Sequence, residues 1–142
     1  MDSILAMISA SVAGLPLFLL FAGTSLVLVL VFGFIYARIT PHSEFALMRQ
    51  GNVAAAVSFG GAVLGFVIPL GRAVAQSSHI LDMLVWAGVA LIVQLLIFWI
   101  AALALGGVSK RIEAGDMAAG LFLALMAVAG GMLNAACMTY TD

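Results

Sequence analysis

The chain has 142 residues, 65% of them hydrophobic and 8% charged, with a net charge of −1. A soluble domain carries about 25% charged residues; here too few polar side chains exist to cover a water-facing surface, so lipid must solvate most of the molecule. Near-balanced charge argues against a nucleic-acid or polyanion partner, and a lone cysteine, Cys137, excludes an internal disulfide.

Residues 3–14 are apolar but short, and either lie in the membrane interface or extend the first span. No basic segment opens the chain, and Asp2 is its only early charge, which argues against a cleavable signal peptide. Pro16 suits a first helical turn, where a missing N–H costs least. Residues 16–37 then form a first span, long enough to cross roughly 30 Å of hydrocarbon. Tyr36 and Arg38 read as the aromatic and cationic markers of its exit.

Thr40 as N-cap with Pro41 at the first helical position predicts a short interfacial helix. Phe45, Leu47 and Met48 would be its apolar side, His42, Glu44 and Arg49 its polar one, and Gly51 its end. Asn52 is then expected to cap the second span, 53–71, with Pro69 near its far end, where a broken backbone bond is easier to solvate. An outer connector over 71–78 leads to a third span, 83–105, which Asp82 helps to cap. Trp86 and Trp99 sit near its two ends. Residues 106–115 form the last connector, and Asp116 caps the fourth span, 117–138. The tail Thr139-Tyr140-Thr141-Asp142 is too short to be a domain.

These elements make residues 1–142 one all-α transmembrane domain of four helices. Arg38, Arg49, Lys110 and Arg111 fall in the first and third connectors, and only Arg72 on the other side. Positive charge marks the cytoplasmic side, so both termini are expected in the periplasm. Asn52 and Asp116 lie 64 positions apart, and each half (16–78 and 79–142) reads as span, basic connector, capped span. Two spans return the chain to its starting side, so the halves would be parallel repeats.

The second and fourth spans are rich in small residues: Gly60, Gly61, Gly65, Gly120, Ala127, Gly130, Gly131 and Ala135. Small residues four apart let helix backbones approach closely. These helices are therefore expected at the centre, the bulkier first and third spans toward lipid, and leftover small faces against further copies in a homo-oligomer.

Gln94 lies near mid-span, where a buried amide seeks a partner. It reads either as glue between helices or, with Thr24 and Ser25 at comparable depth, as part of a polar pathway. Helix rise puts Gln94 roughly 16 Å and Thr24/Ser25 roughly 11 Å from the outer surface, and Asn134 only about 5 Å. Arg38, Arg49, Lys110 and Arg111 are candidates for contact with anionic lipid or a peripheral cytoplasmic protein. Arg72 and Asp82 read as paired surface charges. His42 and His79 fall on opposite sides, which disfavours a shared metal; His42 reads as a surface histidine and Cys137 as a buried small side chain. No cofactor, metal or acid–base set is expected.

Several strings resemble the YjfL-like family of small bacterial inner-membrane proteins, a family of uncharacterised function. They are Ile39-Thr40-Pro41-His42, Gly65-Phe66-Val67-Ile68-Pro69-Leu70, Gln94-Leu95-Leu96, Ala118-Ala119-Gly120, and, most distinctive, the run from Gly130 to Thr139. The resemblance implies a four-span protein of the bacterial cytoplasmic membrane and hints at an envelope-stress or polyamine-linked system. It supplies no catalytic residues. The leading expectation is a non-enzymatic, oligomeric scaffold or partner-docking component. An ion channel or small-solute transporter is the alternative, and an embedded enzyme a remote third.

Overall fold

The computed structural model describes residues 1–138, and the tail Thr139-Tyr140-Thr141-Asp142 lies outside them. All regular structure among the described residues is helical: α1 (Asp2–Ala13), α2 (Leu15–Ile39), α3 (Glu44–Arg49), α4 (Val53–Gln76), α5 (Ile80–Leu105), α6 (Val108–Glu113) and α7 (Met117–Cys137). Four helical stretches are long and apolar enough to cross a membrane: Ser3–Ile39, Val53–Gln76, Ile80–Leu105 and Met117–Cys137. Gly14 keeps helical dihedrals (φ −79°, ψ −15°), so α1 extends α2 in one rod. At 1.5 Å per residue that rod is roughly 55 Å long, well beyond the hydrocarbon thickness, so it must project or tilt.

Three boundaries differ from the sequence expectation, each for a local reason. Thr40 ends α2 instead of opening a helix: its N–H (3.0 Å) and its Oγ1 (3.1 Å) both donate to the Tyr36 carbonyl. Pro41 holds the preceding residue extended, and Thr40 sits at φ −65°, ψ 131°, so α3 starts only after Ser43. Second, α4 continues through Pro69 to Gln76, which places Arg72 on the helix and leaves 77–79 as the outer connector. Third, α5 begins at Ile80, with His79 in the N-cap position and Asp82 in the first turn.

The core is built on α4 and α7, whose small residues bring backbone against backbone. A Cβ on Gly61 would strike Ala124. One on Gly65 would strike the Ala127 carbonyl, one on Gly120 the Ala54 carbonyl, and one on Gly131 the Gly65 carbonyl. That last contact is instructive. The Gly65 carbonyl would ordinarily accept from residue 69, but Pro69 has no N–H to give, and the bare Cα of Gly131 covers the oxygen instead. Ala127 is buried in the same seam. Gly130 faces the flexible Ile97 side chain, and Ala135 is half-buried near the end of α7. Gly60 is a correction: a Cβ there would meet nothing within 4 Å, so it lies outside the seam.

The outer spans are mostly bare: half of the most apolar window of α4 is buried, against 11% of the first span's. Some bulk from the odd spans still reaches the interior. Phe32 stacks on Phe66 at 4.5 Å between ring centroids. Tyr36, expected at the lipid boundary, is buried and packs edge-on against Phe59 and Phe98.

Candidate functional site

The two basic connectors meet at one end of the bundle and share a construction. α3 and α6 have six residues each. Each is closed by a glycine with positive φ (Gly51 at 83°, Gly115 at 77°), a conformation that disfavours side chains. In the first connector, Gly51 N–H donates to Met48 O (3.0 Å) and Asn52 N–H to Leu47 O (2.9 Å). In the second, Gly115 N–H donates to Ile112 O and Asp116 N–H to Arg111 O, both at 2.9 Å. Every residue in the second set follows its counterpart by 64 positions, the separation of Asn52 and Asp116.

Both caps are formed, and each polar residue does a second job. Asn52 Oδ1 accepts from Ala55 N–H (2.9 Å), while its Nδ2 donates to Ile112 O across to α6 (2.7 Å). Asp116 Oδ1 accepts from the N–H groups of Ala118 (3.0 Å) and Ala119 (3.3 Å). Its Oδ2 accepts from Arg111 Nε at 2.7 Å. The Arg111 hydrogen bond, seconded by the Ala119 N–H, holds the Asp116 carboxyl below the usual carboxylate range. An ionised aspartate at position 52 would lack the N–H needed for Ile112, so the two caps are not interchangeable.

Behind this rim lies a polar cluster that reading the sequence in isolation misses. His42 is buried, not on the surface, and its Nε2 lies 2.8 Å from Glu44 Oε1, with both side chains fully covered. Its other ring nitrogen, Nδ1, lies 3.3 Å from Ser109 Oγ on α6. A histidine and a carboxylate therefore do converge, contrary to the expectation of no acid–base set. Glu44 Oε2 is buried without a protein partner, and one helix away Ser58 is buried beside the Tyr36 hydroxyl. The serine–histidine–carboxylate order is that of a hydrolytic triad, but the ring is reversed: serine meets Nδ1 and the carboxylate Nε2. The signal was the spacing. A helix from Thr40 would put His42 and Glu44 on one polar side, yet residues two apart on a helix do not face each other. Pro41-His42-Ser43 as a turn brings them together.

The remaining predicted residues separate. Gln94 is buried and its Nε2 donates to the Ala127 carbonyl (3.1 Å), across the face of Gly65. Ser25 Oγ donates within its own helix to Phe21 O (2.7 Å), and Thr24 is half-buried. Among the described residues no hydrogen bond joins Thr24, Ser25 and Gln94 into one belt. Arg38 lies over the Phe34 ring at 4.7 Å and is exposed, as are Arg49 and Lys110; Arg111 is partly covered. Cys137 is exposed, not buried, because it ends α7 on the side away from the seam. His79 is exposed at the opposite end, and Asn134 is half-buried with an unpartnered Nδ2. No group of three or more metal-ligating side chains occurs among the described residues.

Residues 9–138 match a family described as Domain of Unknown Function (DUF350). Over 113 residues the chain is 44% identical to the UPF0719 inner membrane protein YjfL of Escherichia coli (strain K12), covering 80% of this chain and 86% of that protein. The protein of the same name from Escherichia coli O157:H7 matches to the same extent. No solved structure matches the chain.

Proposed function

Because the chain belongs to the DUF350 family, and its relatives carry the name inner membrane protein, we propose that it is a non-enzymatic inner-membrane scaffold whose basic rim docks a peripheral cytoplasmic protein. In this reading it acts as a homo-oligomer in an envelope-stress assembly. The reading puts the rim in the cytoplasm and both termini outside, and it is supported by charge: the rim carries four of the five cations. The halves are read as parallel repeats, supported by the matched turns 64 positions apart.

One observation carries the docking role. Asn52 ties the start of α4 to the end of α6, so both connectors form one rigid platform presenting exposed Arg38, Arg49 and Lys110. A rigid basic platform binds an acidic surface without first paying to order its loops. The channel alternative draws less support, since the α4–α7 seam is closed by backbone contact and Gln94 is already bonded across it. Reversing charge at the exposed Arg38, Arg49 and Lys110 together should release a co-purifying partner while the bundle stays folded. Unchanged co-purification contradicts the docking role.

A further inference from the structure

Along the lipid side of α5 a groove runs from mid-span to the basic rim. Its deeper part, about 240 Å³, is lined by Ile92, Leu96 and Trp99. The rim part, about 560 Å³, is lined by Trp99, Phe98, Leu103, Ser109 and Lys110 among others. Ile39 and Trp99 line both, so the two parts are continuous. From Ile92 to Leu103 the helix rises roughly 17 Å, about the depth of one leaflet of a core roughly 30 Å thick. The groove walls are apolar up to its end, where Ser109 and Lys110 supply its polar side chains. An occupant must therefore be apolar over one leaflet and polar at the rim.

The buried pair decides what the polar end accepts. Glu44 Oε1 takes the Nε2–H of His42. A ring that carries its proton on Nε2 alone accepts at Nδ1, which lies 3.3 Å from Ser109 Oγ, and in that tautomer the serine hydroxyl turns its proton to the ring. The Ser109 oxygen is left as an acceptor toward the groove, next to the Lys110 ammonium. We infer that the groove binds a glycerophospholipid that is anionic and carries a hydroxyl on its head group, the phosphate meeting Lys110 and the hydroxyl donating to Ser109. This site requires neither an oligomer nor a docked partner, so it stands or falls separately from the docking role.

The test uses the full chain with Trp86→Phe, which leaves Trp99 as its sole tryptophan, in vesicles containing lipids with brominated acyl chains. Contact with bromine quenches Trp99. Phosphatidylglycerol should quench at about fivefold lower content than phosphatidylcholine, with phosphatidylmethanol, an anionic phosphodiester that has no head-group hydroxyl, between them. Lys110→Gln should remove the preference for anionic lipid, and Ser109→Ala should make phosphatidylglycerol and phosphatidylmethanol equal. Equal quenching by all three lipids before any rim substitution overturns the proposal, as does a phosphatidylglycerol preference that survives Lys110→Gln. Equality of the two anionic lipids with Ser109 intact overturns the hydroxyl contact.

Discussion

Asn52 and Asp116 occupy matched positions but respond to different perturbations. Asn52→Ala removes a cap and a bridge, and should cost about 1–2 kcal/mol in equilibrium unfolding in mixed micelles. Asn52→Asp keeps the cap but has no donor for Ile112 O, so it should recover only part of that loss; full recovery would mean the bridge contributes nothing. Asp116 makes stability depend on pH. Its folded-state pKa is lowered, chiefly by Arg111, so its stabilisation is present above the unfolded carboxylate value of about 4. It is lost as pH falls through the lower folded-state value. Arg111→Gln should flatten that acid limb of the unfolding curve, and an unchanged limb would exclude the pair as its source.

At the level of elements, the long apolar spans and both caps were legible in the sequence, because lipid imposes length and small polar residues before helices impose caps. What escaped was decided by contacts between connectors. Nothing local to His42 says that Ser109, 67 residues away, will cover it. Pro69 falls near the far end of the expected second span, yet the helix runs on to Gln76, with Gly131 covering the carbonyl that Pro69 leaves free. The His42–Glu44 pair predicts a graded response. His42→Ala leaves the buried Glu44 carboxylate without its hydrogen-bond donor and should cost about 3 kcal/mol. Glu44→Gln keeps an acceptor for the ring N–H and should cost distinctly less in the same unfolding assay. Equal losses would show that charge, not the hydrogen bond, holds α3 against α6.

Among the described residues, α4 and α7 meet along a small-residue seam at the heart of the bundle. Gly60 shows where one face ends: it sits on the same helix as the seam, but a Cβ there would meet nothing within 4 Å, so α4 keeps a small-residue face free for the proposed contact between copies. Gly60→Leu should leave the protomer folded while lowering its oligomeric state in single-molecule photobleaching; an unchanged step count would move the contact elsewhere. The closed seam itself is tested most directly by comparing two neighbouring glycines. Gly61→Ala forces a methyl into Ala124, and equilibrium unfolding in mixed micelles should show a loss of about 1–3 kcal/mol. Gly60→Ala should be neutral or stabilising by up to about 1 kcal/mol. If both alanines are tolerated alike, α4 and α7 do not meet backbone to backbone, and the sealed bundle on which the scaffold reading stands is wrong.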